Sequence, residues 1–529
     1  MNKLSLKTRT SVCLAVIILV FIFAPLFSRS VSSAFWFHET FFNTLKVFEN
    51  FKEKGFPTFD GETLTNDFSL LWGSILGGLS TLVSPQKALF FILARLILGG
   101  ALCLSLWLFN KLIDALDFKP EKEVYFLLFS FLTALFFYTA FTGSDAALAI
   151  PCVFLNALCV LKALKKPTVI SGILCGLTVS LCAFARFDSA AFFLTALLVF
   201  YFQFNGKEPV STKQALKLLP GLIVGLVPLM FYADTLQTKF GSPVPAELLS
   251  WGKAQGMAAW RILLVVFYEP FRYAFKIPQA SALITLPVLL LVLTAYISFP
   301  WAEEKQRPED TVFYALIWYP IAYLTAIASL TFVALPEYAL YPFATGAPLA
   351  LLFAANKINS QITENEKPKA RLTWLILGGL LSLTALSLAI KPRAAFYTDI
   401  VKTIKEFTDQ NPGRYAMSTG AGITSFITGA NIIRLDGMAE DLNMLKKLEA
   451  QETLRNVFRD YRINYYIAIN LPKGKDCYSA REPVQNRFGG TNKGLSDWLC
   501  AEPVFEKQAN SHFKISIFKI DLSGKVVSP

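Results

Sequence analysis

Residues 35–72 read FWFHETFFNTLKVFENFKEKGFPTFDGETLTNDFSLLW and follow the first strongly apolar run of the chain, residues 11–28. A helix over that run would leave the bilayer shortly before Glu39, because a hydrocarbon core of about 30 Å takes roughly 20 helical residues. A polar loop rich in aromatic residues is predicted after Glu39, as far as Trp72. A carboxylate at a membrane face beneath a large loop is the arrangement expected where an enzyme meets a lipid-borne substrate.

The composition is that of a polytopic α-helical membrane protein. Hydrophobic residues make up 54% of the 529 positions and charged residues 17%, whereas soluble domains carry about 25% charged residues. No small-residue cleavage site follows the first apolar run, so an uncleaved span is predicted there. The Gly-rich run 69–83 is too short to cross a bilayer and suits an interfacial or re-entrant helix. About eleven spans are predicted, over residues 11–28, 87–109, 123–142, 146–163, 168–185, 188–204, 217–235, 280–300, 311–333, 338–356 and 372–390.

Loop charges orient these spans. Lys3, Lys7 and Arg9 precede the first span, and every second loop after it is basic, as cytoplasmic loops are. The N-terminus is therefore predicted to be cytoplasmic, and the residues after about 392 are predicted to lie outside. The formal net charge of +12 follows from this topology, so no nucleic-acid partner is expected.

The chain changes character near residue 391, and two domains are predicted. A transmembrane domain covers 1–391, with its first outer loop at 29–86, and an extracytoplasmic α/β domain covers 392–529. Periodicity in the second domain predicts helices over 396–408 and 438–459, strands over 415–418, 465–469 and 513–520, and a turn at 420–422.

The cysteines divide between the two domains. Six of the eight lie in or beside the predicted spans and are interpreted as small apolar fillers. Cys477 and Cys500 lie in the second domain. An oxidising compartment permits them to pair.

Ionisable residues near the outer membrane face are the candidate functional residues, because charge at membrane depth is costly. Glu39, with His38 beside it, can act as a general base that removes a proton from an acceptor hydroxyl. Asp60 and Asp67, in the loop that follows, can bind sugar hydroxyls, and a divalent cation (Mg, Mn or Ca) at Glu39 and Asp67 is left open. The alternative is that Glu39 faces water and that Asp60 is part of a turn with Gly61.

Three further segments place polar groups at the same face. Asp145 ends a Gly-Ser-Asp turn and is a candidate for sugar binding, with helix capping as the alternative. Arg186 can hold a phosphate through forked hydrogen bonds, and Asp188 can pair with it. Lys253 and Arg261 keep positive charge on the outer side, which suggests an anionic ligand, with lipid head groups as the alternative. The convergence of these segments suits a phosphorylated polyprenyl lipid.

In order along the chain, these segments resemble motifs of the polyprenyl-phosphate-dependent membrane glycosyltransferases of the GT-C type. The branch that includes the terminal arabinofuranosyltransferases is the most similar. His38-Glu39-Thr40-Phe41 stands in place of that family's Asp-Asp-Ala-Phe-like motif, and the family's loop ending in Leu-Trp resembles Phe59-Asp60-Gly61-Glu62 through Leu71-Trp72. Its later motifs resemble Gly143-Ser144-Asp145-Ala146, Arg186-Phe187-Asp188-Ser189, Gly241-Ser242-Pro243-Val244-Pro245 with Lys253 beyond, and the run 420–437.

The resemblance implies an inverting glycosyltransferase that works on the outer face of a bacterial inner membrane, with the second domain in the periplasm or outside the cell. Its donor would be a polyprenyl-phosphate sugar and its acceptor a glycan, lipid or protein of the cell envelope. Glu39 would be the catalytic base. Donor phosphate would be bound by Lys253, Arg186 and Arg261, and sugar or acceptor by His38, Asp60, Asp67, Asp145, Asp188 and Trp72.

Two other classes of function stay open. A transporter or flippase of lipid-linked sugars would need charged residues along a path through the bilayer centre, where Arg95 is the one candidate found. An inactive assembly factor for envelope polysaccharide would account for the single acid at Glu39 where the family has a paired Asp.

Overall fold

A computed structural model gives the conformation of most of the chain. It describes residues 37, 39–65, 68–118, 120–140, 143–203, 212–243, 245, 255–256, 308–329, 336–363, 365–390, 397–436, 442–474, 476–482, 491–492, 494–521 and 523–527. The predicted spans 11–28 and 280–300 lie outside these residues, as do four candidate site residues: His38, Asp67, Lys253 and Arg261.

Most of the described residues before 391 lie in helices. Four of these helices, within Ala88–Ala115, Ala146–Lys165, Leu216–Phe240 and Lys367–Ser387, are long and apolar enough to cross a membrane. Each predicted span from 87 onwards, apart from 280–300, coincides with a helix, while the total of about eleven spans stays a prediction. The helices are α1 (Glu39–Lys54), α2 (Leu70–Leu82), α3 (Ala88–Ala115), α4 (Lys122–Ala140), α5 (Ala146–Lys165), α6 (Val169–Ala185), α7 (Ala191–Gln203), α8 (Thr212–Phe240), α9 (Pro308–Ser329), α10 (Pro336–Gln361) and α11 (Lys367–Ile390).

Helix α1 corrects the prediction of a loop directly after Glu39. Phe41, Phe42 and Leu45 are fully buried, and their spacing of three and four residues is that of one helix face. The ring of Phe42 lies 5.3 Å from that of Phe426 in the C-terminal part of the chain. Phe41 and Phe42 are therefore covered by protein.

Glycines spaced by four set the packing of α6 against α8. A Cβ at Gly172 or Gly176 would come within 2.4 or 2.6 Å of a backbone oxygen of α8, and one at Gly221 or Gly225 within 2.0 or 2.4 Å of a backbone oxygen of α6. The Ser180 hydroxyl donates a hydrogen bond to the Gly225 carbonyl at 3.0 Å. Small residues permit such close approach of apolar helices, and here the approach fixes the end of α6 that leads into Arg186.

The residues from 397 onwards form a mixed sheet with helices on both faces. The strands are β2 (Arg414–Met417), β3 (Asn431–Arg434), β4 (Tyr465–Ile469), β5 (Tyr478–Glu482), β7 (Leu495–Leu499), β8 (Phe505–Asn510), β9 (Phe513–Ile520) and β10 (Val526–Val527), with a short pair formed by β1 (Gln255–Gly256) and β6 (Thr491–Asn492). Three parallel strands lie in the order β3-β2-β4, and β9 continues the sheet antiparallel to β4.

Four helices accompany this sheet: α12 (Tyr397–Thr408), α13 (Ala421–Thr428), α14 (Leu442–Ala450) and α15 (Leu454–Asp460). Side chains of α12 and α13 share one continuous apolar core with α1 to α6, whereas α14 and α15 pack into a separate core on the opposite face of the sheet. The sheet is therefore packed directly against the helical part of the chain.

The predicted helix over 438–459 is wrong as a single element. Among the described residues, α14 ends at Ala450, and Gln451 has a positive φ of 54°. The hydroxyl of Thr453 then accepts a hydrogen bond from the Asn456 amide and starts α15. The helix over 396–408 and the strands over 465–469 and 513–520 are confirmed, and Cys477 is bonded to Cys500.

Candidate functional site

Glu39, the first residue of α1, is buried among donors from the C-terminal part of the chain. Its Oε2 accepts the Gly420 amide at 2.9 Å, and its Oε1 accepts the Gly422 amide at 3.3 Å. The Nη1 of Arg434 lies 3.0 Å from Oε1. The carboxylate is therefore held by two backbone amides and one guanidinium.

The two amides come from the start of α13. Gly420 caps that helix in the left-handed conformation, with φ +84°, which glycine adopts without strain. Unpaired amides and the helix dipole favour an anion at such an N-terminus. Strands β2 and β3 end here, at the edge of the parallel strands where open α/β sheets bind their ligands. In this protein the carboxylate of Glu39 occupies that position.

Arg434 ends β3 and is only 1% exposed. Its Nε and Nη2 donate to the two carboxylate oxygens of Asp436, at 3.0 and 2.5 Å, and its Nη1 also contacts the amide oxygen of Asn43. The Tyr397 hydroxyl hydrogen-bonds to Glu39, and burial, together with the nearby Glu39 charge, raises the pKa of Tyr397 well above its usual value. Tyr397 is thus a neutral donor to this carboxylate.

A second acid–guanidinium contact joins the first loop to the sheet. The Oδ1 of Asp60 accepts the amides of Glu62 and Thr63, at 2.9 and 2.8 Å, and its Oδ2 lies 2.9 Å from the Nη2 of Arg414. Glu62 pairs with the same guanidinium at 2.8 Å. Both oxygens of Asp60 therefore serve a turn and this contact, while its predicted binding of sugar stays a prediction.

The predicted turn at residues 143–145 and the predicted pair at 186–188 form one buried cluster. The Nη1 of Arg186 lies 3.3 Å from Asp145, and its Nε lies 2.8 Å from Asp188. The hydroxyl of Tyr323 donates to Asp188, and the guanidinium lies over the ring of Tyr341 at 5.4 Å. Asp145 stands at the start of α5 without a side-chain capping bond; its carboxylate instead accepts the Ser144 hydroxyl at 3.0 Å and pairs with Arg186.

Trp72 is fully buried and packs against the turn that carries Asp145. Its Nε1 donates to the Gly143 carbonyl at 2.8 Å. A Cβ at Gly143 would come within 2.7 Å of Phe37 and 2.8 Å of Phe41. The structure thus gives Trp72 a packing role, while its predicted sugar contact stays a prediction, and it places the 143–145 turn against the segment that carries Glu39.

Sequence reasoning missed Arg434, Tyr397, Arg414 and Tyr323. Arg434 and Asp436 follow the apolar pair Ile432–Ile433, with Leu435 between them, and a charged pair at the carboxyl end of a buried strand is a signal that could have been used. Tyr323 lies within an apolar helix and gives no such signal. Among the described residues, no group of three His, Cys, Asp or Glu side chains is arranged to hold a metal ion.

Glu482 lies beside this site, next to Asp436 and Ser418. Burial raises its pKa to about 7 from an ordinary 4.5, and the Tyr466 hydroxyl donates to it at 2.7 Å. The native state therefore keeps a proton that the unfolded state loses between pH 4.5 and 7, so stability falls as the pH rises through this window.

Replacing Glu482 by Gln should remove this loss of stability at higher pH. We expect similar melting temperatures for Glu482→Gln and wild type at pH 4.5, and a more stable variant above pH 7, by about 3 kcal/mol at 1.36 kcal/mol per pKa unit. The measurement is thermal unfolding of the full chain in detergent across this pH range. Glu502→Gln is the control, because Glu502 is exposed and bonding to Lys473 lowers its pKa. An equal pH dependence in both variants would contradict the assignment.

Comparison with known proteins establishes the fold. No protein-family model and no curated protein sequence matches the chain. The structure is similar to the crystal structure of ArnT from Cupriavidus metallidurans bound to undecaprenyl phosphate, with a TM-score of 0.50, 11% identity, and coverage of 87% of this chain and 93% of that chain. The apo state of ArnT gives a TM-score of 0.50 and 10% identity, over 85% of this chain and 92% of that chain.

A third solved structure, the mycobacterial arabinofuranosyltransferase AftD, aligns with a TM-score of 0.48 and 13% identity, over 98% of this chain and 40% of that chain. ArnT is a glycosyltransferase of the GT-C type. The protein therefore has a GT-C-like membrane fold, and at these identities the likeness concerns the fold alone.

Proposed function

We propose that this GT-C-like protein is an inverting glycosyltransferase that takes a sugar from a polyprenyl-phosphate donor and passes it to an envelope acceptor. One observation carries the proposal. The buried carboxylate of Glu39 and the cluster of Arg186 with Asp145 and Asp188 lie on segments that meet around Gly143. The acid proposed as the base and the acids proposed to bind sugar hydroxyls therefore lie at the same end of the helices. ArnT, which has the same kind of fold, is described bound to undecaprenyl phosphate.

The proposed reaction is a single displacement. The acceptor hydroxyl oxygen forms a bond to the anomeric carbon, and the bond from that carbon to the phosphate oxygen breaks. The electron pair leaves with polyprenyl phosphate, and the hydroxyl proton passes to the carboxylate of Glu39. Alignment of donor and acceptor supplies much of the rate.

The cluster around Arg186 is better suited to sugar hydroxyls than to phosphate. Its guanidinium lies between Asp145 and Asp188, and two carboxylates oppose the approach of an anion. We therefore assign these two acids to sugar binding, with Asp188 also orienting Arg186. Donor phosphate is assigned to Lys253 and Arg261, in keeping with the outward positive charge of their segment and with charge-assisted binding of developing negative charge.

One structural observation favours a second candidate, an inactive assembly factor. Glu39 accepts bonds from protein groups at both of its oxygens, so an acceptor hydroxyl would have to compete with them. A carboxylate that only joins two parts of the chain would show the same contacts. The test must therefore measure chemistry.

The deciding experiment is transfer of radiolabelled sugar from a panel of polyprenyl-phosphate sugars by the purified full-length protein. We expect label to move from one donor to an acceptor or to water, with release of polyprenyl phosphate. If no donor gives transfer, while a lipid-linked sugar still binds or crosses vesicles, the protein is an assembly factor or a flippase.

A further inference from the structure

The contacts of Glu39 cross from the helical part of the chain to the C-terminal sheet. The donors described above come from Gly420, Gly422, Arg434 and Tyr397, all at least 358 residues further along the chain than Glu39. A Cβ at Gly422 would come within 2.2 Å of the Asn43 side-chain oxygen. The start of α13 is therefore pressed directly onto α1, where the position of Glu39 is set.

The position of the Arg434 guanidinium is fixed by Asp436. Asp436 accepts two parallel hydrogen bonds from this guanidinium, and such a forked contact fixes the orientation of the guanidinium plane. Its guanidinium carbon lies 5.9 Å from the centre of the Phe59 ring, in the first loop. Because Asp436 anchors Arg434, the contacts of its Nη1 with Glu39 and Asn43 help to define where the Glu39 carboxylate lies.

We propose that Arg434 is a positioning residue for Glu39, so that the C-terminal sheet supplies part of the catalytic centre. This inference rests on the proposed transfer reaction, in which Glu39 is the base. Arg434 contacts neither donor nor acceptor in this scheme. It holds the carboxylate in the one orientation from which the acceptor hydroxyl is deprotonated.

The positive charge of Arg434 gives this positioning role a measurable effect on the pH–rate profile. The charged or titratable groups that the described elements place against Glu39 are Arg434, Asp436 and Tyr397. Removing the guanidinium leaves Glu39 beside Asp436 without the opposite charge, and a like charge disfavours an ionised carboxylate. The acidic limb of the pH–rate profile should then move to higher pH.

The experiment compares Arg434→Gln, Arg434→Lys and Lys507→Gln in the full-length protein, with a polyprenyl-phosphate sugar that wild type uses. Lys507 is the control, because its half-exposed pair with Glu406 joins the sheet to α12 and involves no candidate site residue. We expect Arg434→Gln to lower kcat about 100-fold, the size of effect that a misplaced catalytic group produces, and to shift the acidic limb upward. Arg434→Lys should keep the limb in place with a smaller loss of kcat.

The outcomes separate the inference from the function. An Arg434→Gln profile that matches that of Lys507→Gln in both limb and kcat would overturn the positioning role and leave the transfer reaction intact. Absence of transfer by wild type with every donor would overturn both. If Arg434→Gln does not fold, Arg434→Lys decides, because a lysine cannot reproduce the forked contact and wild-type kcat in that variant would contradict the proposal.

Discussion

Glu39→Gln is expected to lower the rate of sugar transfer by about 10²- to 10⁴-fold, the usual contribution of a general base. The amide keeps one oxygen, which can still accept from Gly422 and Arg434, but it loses the second acceptor used by Gly420 and cannot take the acceptor proton. Arg434 retains its two bonds to Asp436, so its buried charge stays paired and the fold should survive. The measurement is the turnover of labelled donor by purified variant and wild type at equal concentrations.

A matched variant guards this test against a general loss of structure. Glu62→Gln alters another acid of the first loop that pairs with an arginine of the sheet, but the side chain of Glu62 is 59% exposed in that pair. An exposed pair contributes about 0–1 kcal/mol, so this variant should lose little stability. Near-normal transfer by a folded Glu39→Gln protein would show that Glu39 only joins α1 to the C-terminal sheet and is not the base.

The helical part of the chain could be predicted because apolar length alone indicates a membrane helix. The runs at 87–109, 146–163 and 168–185 coincide with α3, α5 and α6 for that reason. Helix α1 was missed because Lys46, Glu49 and Lys52 interrupt its apolar pattern. Its buried face is covered by Phe426 and its neighbours, which no local pattern reveals.

The same reasoning explains which parts of the site were found. Asp145, Arg186 and Asp188 were each named as candidates, because charge next to a span is conspicuous. The capping alternative for Asp145 placed this residue correctly at the start of a helix, but its side chain pairs with Arg186 and makes no capping bond. The partner of Glu39 is 395 residues away in the sequence and ends a strand whose neighbours are set by the sheet order. A pairing of this kind depends on tertiary packing, so local sequence patterns do not contain it.

Replacement of Arg186 by leucine is expected to destabilise the protein by about 3–5 kcal/mol, the cost of removing one partner from a buried ion pair. Arg186 is 5% exposed, and its loss would leave the side chains of Asp145 and Asp188, 11% and 9% exposed, facing each other. Thermal unfolding of the full chain in detergent measures the effect. Lys507→Met is the comparison, because its pair with Glu406 is about half exposed and should contribute at most about 1 kcal/mol.

A compensating variant tests whether uncompensated charge is the cause. Arg186→Leu combined with Asp145→Asn and Asp188→Asn leaves no buried charge, and such replacements are often close to neutral. We therefore expect the triple variant to regain most of the stability lost by Arg186→Leu while remaining inactive in sugar transfer, since the acids assigned to the sugar are gone. A triple variant no more stable than Arg186→Leu would mean that the guanidinium stabilises this face through its packing on Tyr341 and not through its charge.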